Sequence, residues 1–269
     1  MTILDEIFAH KRQEVQRQMA EITLAEVQRE AEGQPAPRDF SKALRQASLE
    51  GHPALIAEVK HRSPSRGVLA PDFDPQRLAE QYQANGARAI SVLTDAAYFG
   101  GSLDHLRQLA KLEDHLPLLR KDFIFHPYQL YQARAAGADA VLLIAAMLDV
   151  ETLAELHNLA LQLGLAPLVE VHTASELNGV IALKPPLLGV NNRDLHTFKV
   201  SLQTTLDLSP LVPEYACLVA ESGIRHAQDV NILGSAGVDA VLVGEALVTA
   251  PDLPAKVREL AGLPLSAKV

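Results

Sequence analysis

Glu58 and Lys60 stand two residues apart at the end of the run "IAEVK", and the arrangement returns along the chain. "LLRKD" pairs Leu119 with Lys121, "PLVEV" pairs Leu168 with Glu170, "GVNNRD" offers Asn191 and Arg193, and "LVAES" pairs Val219 with Glu221. In an extended segment, residues two apart share a face. Each run therefore turns from apolar to polar along one face toward its C-terminal end. Any one of these side chains could be the first solvated residue of a loop. Five such ends on the same face argue for a shared site, because lysines, glutamates and an arginine gathered together must compensate one another's charge. Ammonium and carboxylate groups held that closely shift each other's proton affinity, which is how general acids and bases are tuned. Arg120 falls on the opposite face, a structural place, and Asp122 belongs to the anchoring of the strand end or loop.

Eight short apolar runs carry these ends: 54–60, 87–95, 116–123, 139–147, 166–171, 187–192, 217–222 and 239–247. Stretches such as "PQRLAEQYQANG" and "VETLAELHNLALQLG" lie between them with amphipathic helical spacing. Three of the connections pass through "NGARAI", "AGADAV" and "AGVDAV", where glycine is the expected helix C-cap and the phrase echoes one repeated unit. Strands alternating with helices imply a parallel sheet, and eight repeats match a barrel better than an open doubly wound sheet. No run is followed by G-x-G-x-x-G, so a dinucleotide site lacks its main support. The expected fold class is α/β, a single (β/α)8 TIM barrel, with its chemistry at the C-terminal ends of the strands. Ahead of it, Ile3, Ile7, Val15 and Ile22 recur at helical intervals before Gly33, Pro35 and Pro37 break the pattern. The expected division is a helical extension over 1–45, acting as a lid, and a barrel over 46–269.

The ends of the seventh and eighth runs, "ESGIRHAQD" and "VGEAL", bring Gly223 and Gly244. These would let backbone N–H groups approach a phosphate at the following helix N-termini. Ordinary turn glycines are the competing reading of either one alone. The loop "HRSPSRG" adds Ser63, Ser65 and Arg66, as ligands or as a mobile surface segment. A net charge of −9 argues against nucleic acid or an anionic membrane as the main partner, and leaves room for an anionic small molecule at a locally basic site. No stretch approaches the roughly 18 apolar residues of a membrane span, and the N-terminus lacks a signal-peptide pattern. The single cysteine, Cys217, cannot form an internal disulfide and has apolar neighbours, which suits a core position and a reducing cytoplasm. Ten histidines without ligand-like spacing predict no metal. Ser222 sits in no G-x-S-x-G context, so hydrolase chemistry is not expected.

Taken in order, "ILDEIFAHKRQEV", "IAEVKHRSPSRG", "LLRKDFIF", "PLVEVH", "LGVNNRDL", "VAESGI" and "LVGEAL" resemble the indole-3-glycerol-phosphate synthase family over nearly the whole chain. His61-Arg62 and Glu245 depart from residues common at those places in the family. The resemblance implies a lyase of tryptophan biosynthesis that needs no cofactor. Its reaction closes the ring of 1-(2-carboxyphenylamino)-1-deoxyribulose 5-phosphate to indole-3-glycerol phosphate, releasing carbon dioxide and water. Lys121 would be the general acid that protonates the ketone oxygen as the ring carbon attacks, since an ammonium donates the proton and steadies the developing charge. Glu170 would be the base of the dehydration. Lys60 would face the substrate carboxylate with Glu58 holding it, Asn191 and Arg193 would position the substrate, and Glu221 would support the lysines. Phe123 and Leu195 would line the ring pocket. Ser63, Ser222, Gly223, Gly244 and the backbone of Glu245 would hold the phosphate, and the N-terminal helix would partly cover the mouth. The chain would be a cytoplasmic monomer, open to contacts with other enzymes of the pathway. Two other readings stay open. One is a Schiff-base aldolase or sugar-phosphate isomerase, which borohydride trapping would reveal. The other is a non-catalytic phosphate-metabolite subunit, which the loss of a strand-end lysine or glutamate would have marked.

Overall fold

Eight parallel strands close on themselves in chain order. They are β1 (Ala54–Val59), β2 (Ala89–Leu93), β3 (Leu118–Lys121), β4 (Ala140–Ile144), β5 (Ala166–Val171), β6 (Leu187–Asn191), β7 (Cys217–Glu221) and β8 (Ala240–Val243), with β8 returning to pair with β1. This is a computed structural model that describes residues 3–49, 51–64, 66–194 and 197–264. Ser65 and Leu195, both singled out above, lie outside the described residues. Each strand falls within one of the expected runs, and helices connect them on the outside, so the architecture is the (β/α)8 barrel. Among the described residues no helix is long and apolar enough to cross a membrane.

The two-residue alternation sorts the strands as the sequence pattern requires. Ile56, Leu119, Leu168 and Val219 pack together inside the barrel, whereas Ala57, Val59, Val169 and Ala220 pack outward against the helices. Cys217 belongs to the inner group and is fully buried, and burial pushes its thiol up to about 12. It is a packing residue without thiolate character.

The echo in the sequence has a structural basis. Segments beginning at Lys121 and Glu221 share one pattern, displaced by 100 residues. Gly137 and Gly237 end their helices at φ of 86° and 85°, a region that glycine enters without a Cβ penalty. Asp139 and Asp239 then make equivalent hydrogen bonds. Each carboxylate accepts the N–H of a strand start, Leu118 at 2.7 Å and Leu218 at 2.8 Å. The spare oxygen of each reaches the N-terminal segment, accepting from Arg38 N–H in one case and from Ser48 Oγ in the other.

That segment forms three helices, α1 (Ile3–Glu21), α2 (Leu24–Glu32) and α3 (Phe40–Leu49). A capping box between Thr23 and Glu26 starts α2, so Ile22 falls beyond α1 and is left 41% exposed instead of continuing its apolar stripe. Val27 and Ala31 pack with Tyr128 and Ala135, and the Tyr128 hydroxyl donates to Gln18 O and Ile22 O. Helix α3 runs through residues 45 and 46 and puts Phe40, Leu44 and Ala47 into the inner cluster with Ala54, Ala89 and Ala240. The small residues at the strand starts leave space there, and α3 fills it. The floor of the barrel is thus built from the N-terminal segment, while the strand ends carrying charge point to the opposite mouth.

Candidate active site

The inward frame of β1, β3 and β7 sets the centre of the mouth. Lys121 Nζ lies 2.6 Å from Glu221 Oε2 and 3.7 Å from Glu58 Oε2, and the other Glu58 oxygen accepts from Lys60 Nζ at 3.0 Å. Burial alone would lower the Lys121 pKa, but the charges of Glu221, Glu58 and Glu170 outweigh it, and the ammonium is held well above its ordinary value. Burial works the other way on carboxylates. It would raise Glu58, yet Lys60 and Lys121 together bring that group down. For Glu221 burial prevails, helped by Glu170 and Glu58 and opposed by Lys121, and its pKa rises to about 7. Several carboxylates converge on one ammonium, so Lys121 keeps its proton, and Glu221 holds a proton more readily than an ordinary carboxylate.

Glu170 is buried on β5, where Asn191 Nδ2 at the end of β6 donates to its Oε1 at 3.2 Å. Asn191 Oδ1 in turn accepts Arg193 N–H at 3.0 Å, which ties the start of the following loop to the same group. Around these centres lies a cavity of about 510 Å³. Glu58, Lys60, Lys121, Glu170, Asn191 and Arg193 line it, as do Phe123, Ser63, Ser222, Gly223, Gly244 and Glu245. Glu221 does not reach the surface of the cavity; it sits fully buried beneath Lys121.

Two further groups of residues line the cavity. On one side Phe123 lies 6.1 Å from the Phe99 ring, with Leu93, Leu142 and Ile144 completing an apolar wall. On the other, Ser222 and Gly223 hold consecutive positive φ values of 65° and 83°, which turns the chain sharply after β7. Ser63 Oγ is buried with no hydrogen-bond partner among the described residues and faces the cavity, as a ligand-binding hydroxyl would. Arg66 Nη1 and Glu245 Oε1 meet at 3.1 Å, joining the β1 and β8 loops beside this second group. The Glu245 side chain is therefore engaged by the arginine.

A family model described as Indole-3-glycerol phosphate synthase matches residues 4–260. The indole-3-glycerol phosphate synthase of Roseiflexus castenholzii is 54% identical, covering 97% of this chain and 98% of its own length. The chain belongs to the indole-3-glycerol phosphate synthase family. Another member, the indole-3-glycerol phosphate synthase of Albidiferax ferrireducens, is 50% identical over 93% of this chain and 94% of its own. Among solved structures, 3-hexulose-6-phosphate synthase from Salmonella typhimurium superposes with a TM-score of 0.62 at 15% identity, covering 78% of this chain and 97% of that one. That likeness shows the barrel alone.

Several residues packed around this synthase-family site, or contacts they make, escaped the sequence reading. His172 shares the frame of Glu170, so the rule that found the glutamate also reaches the histidine. Lys11 lies four residues from both Ile7 and Val15, and a lysine in the apolar stripe of a helix is a signal in itself; its ammonium is buried against Asp95 and Asp122. Gly189, passed over in the sequence, and Gly244, read there only as a phosphate contact, each leave a clearance visible only in three dimensions. A Cβ on Gly189 would come within 2.5 Å of Glu221 Oε1, and one on Gly244 within 2.3 Å of Glu58 Oε1. Gly244→Ala is therefore expected to displace Glu58 from its two lysines and lower turnover about tenfold or more, a loss of about 1.4 kcal/mol. Steady-state kinetics on the variant with its melting temperature checks this; unchanged turnover would show that Glu58 can move without consequence.

Proposed function

We propose that this chain catalyses the family's ring closure through Lys121 and Glu170 as acid and base. The observation that carries the reading is the Lys121 ammonium at the barrel mouth, fixed 2.6 Å from Glu221 and kept protonated by surrounding carboxylates. A general acid must hold its proton until the substrate's ketone oxygen needs it. A Schiff-base lysine must instead be neutral to attack, so the electrostatics favour the acid over the imine reading. As the ring carbon attacks the ketone, Lys121 transfers a proton to the oxygen, and Glu221 and Glu58 hold the lysine in line. Lys60 receives the substrate carboxylate that is later lost as carbon dioxide. In the dehydration that follows, Glu170, its Oε1 oriented by Asn191, takes the proton from the ring-closure intermediate and returns one to the departing hydroxyl, which leaves as water, while Lys121 regains from solvent the proton it gave to the ketone oxygen. Arg193 positions the substrate from the loop beyond Asn191. Phe123 faces the aromatic ring, and Ser63, Ser222, Gly223, Gly244 and the backbone of Glu245 receive the phosphate.

Ahead of the barrel, α1 forms one rim of the mouth through Ile7 and covers it in part, while α3, which crosses the boundary expected at 45 and 46, supports the barrel from below. Every described residue assigned to the site comes from this one chain, which suits a monomer whose partner is a phosphorylated small molecule, and the family's biosynthetic role suits the cytoplasm. Purified protein given 1-(2-carboxyphenylamino)-1-deoxyribulose 5-phosphate should generate indole fluorescence and carbon dioxide in equal amounts. Consumption of the substrate without either product would reject the reading.

A further inference from the structure

The residues read above as receiving the phosphate offer only neutral donors, two hydroxyls and backbone N–H groups. A phosphate monoester near neutral pH carries about 1.5 to 2 negative charges, and the chain itself carries −9. Three carboxylates also stand on the segments that follow β7 and β8, and each is already engaged. Glu245 Oε1 is 3.1 Å from Arg66 Nη1, and Glu259 Oε2 accepts from Lys256 Nζ at 2.7 Å. Asp229 Oδ2 accepts the backbone N–H groups of Arg225 and His226 at 2.8 and 2.9 Å, at the start of the helix Ala227–Ser235. Those two N–H groups are thereby closed to an incoming anion.

We propose that Arg225 is the cation that meets the substrate's phosphate and sets the site's preference for a phosphorylated ligand. This rests on the reading of Ser222, Gly223 and Gly244 as the phosphate cradle. Arg225 follows Gly223 by two residues and lines the same cavity, and among the described residues its guanidinium has no hydrogen bond or ion pair. Its backbone, in contrast, is held. Arg225 O accepts from Lys256 Nζ at 3.2 Å, and Ala227 N–H donates to Glu259 Oε1 at 3.0 Å. The helix Leu253–Leu260 thus pins the loop on both sides of His226 and presents an uncommitted guanidinium at the rim. Such a group gives a phosphate two parallel N–H···O bonds as well as a compensating charge. The other cations are occupied. Lys60 is paired with Glu58 and Lys121 with Glu221, and withdrawing Arg66 or Lys256 would leave a bare carboxylate beside the anion. Arg193 also lacks a carboxylate among the described residues, but its backbone is tied through Asn191 to Glu170, at the chemical centre.

Arg225→Gln should raise KM for the carboxyphenylamino ribulose phosphate at least about tenfold, the scale of losing a hydrogen bond to a charged group, with a smaller change in turnover. Inorganic phosphate, titrated by calorimetry and as a competitor of the substrate, should bind the variant more weakly by a similar factor. A residue that only shaped the loop would leave the response to salt unchanged. Here added salt should weaken phosphate binding more steeply in the parent than in Arg225→Gln, because screening acts on a charge the variant lacks. Arg225→Lys keeps that charge and should recover most of the loss, and the melting temperature of each variant separates binding from folding. Equal phosphate affinity in the parent and Arg225→Gln would overturn the inference, as would Arg225→Lys binding no better than Arg225→Gln. The underlying readings fail differently. Calorimetry needs no turnover, so an error in the acid and base leaves this test intact. Phosphate that does not compete with substrate in the parent would remove the cradle and this inference together, whereas equal competition in the parent and Arg225→Gln would leave the cradle and dismiss Arg225 alone.

Discussion

Replacing Lys121 by methionine is expected to lower turnover at least about a hundredfold while leaving substrate affinity nearly intact. Methionine keeps the length of the side chain and removes the proton and the charge. A hundredfold loss corresponds to about 2.7 kcal/mol of transition-state stabilisation, the usual scale for an acid–base group. Affinity should survive because the surfaces assigned to the phosphate and carboxylate, around Ser63, Gly223 and Lys60, do not depend on Lys121 for their shape. The substitution also leaves Glu221 without the cation 2.6 Å away. Glu221 is already pushed up to about 7 by burial and its neighbouring carboxylates, so it can take up a proton in the variant and avoid an unpaired buried charge. Turnover and equilibrium binding measured on the same preparation decide the matter. Near-normal turnover would exclude Lys121 as the acid, and a loss confined to binding would make it a clamp for the substrate.

Lys11→Met is expected to destabilise the fold by about 3 kcal/mol or more, although Lys11 lies in the first helix and outside the barrel. Its ammonium is 1% exposed and sits 2.8 Å from Asp95 Oδ2 and 3.1 Å from Asp122 Oδ1, with Glu14 at 3.0 Å. Asp122 is also bound by Arg120 at 2.9 Å and by Thr94 at 2.6 Å. Removing the lysine leaves two buried carboxylates without their shared cation, and Asp95 keeps only the N–H groups of Tyr98 and Phe99. The pH dependence has a definite sign. Burial would raise the Asp122 pKa, but Arg120 and Lys11 outweigh it and hold the group well below the usual carboxylate range. A carboxylate lowered in the fold contributes stability above its unfolded value, and that contribution is lost as pH falls through the folded one. The deficit of Lys11→Met should thus be full at neutral pH and shrink in strong acid. Urea unfolding at several pH values measures it, and adding Asp95→Asn should recover part of the loss by removing the stranded charge. A deficit below about 1 kcal/mol at neutral pH would show that water reaches the cluster.

The same cluster explains the run "LLRKDFIF". Leu119 and Lys121 face inward, toward the inner packing and the cavity respectively. Arg120 faces outward and is buried all the same, donating to Gln129 O, Asp122 and Thr94. Asp122 links that arginine to Lys11 of α1. Adjacent charges here belong to two separate networks, because a strand sends neighbouring side chains to opposite faces.

Much of this was legible in the residues taken in order. The number of strands, their inward and outward faces, the glycine caps and the polar strand ends all follow from short-range periodicity and from the cost of burying unpaired charge. These are local properties, and local sequence carries them. Tertiary structure alone decided which charges meet. Lys121 pairs with Glu221, 100 residues away, while Glu170 on the intervening β5 bonds Asn191 instead. A strand's alternation says that a side chain faces inward but holds no information on which other strand end it will face; closure of the barrel sets that. The same reason hides the clearance that Gly189 and Gly244 leave for carboxylates, the α3 floor beneath the strands, and the burial of Lys11. Each depends on distances between segments that are far apart along the chain, and only packing fixes those.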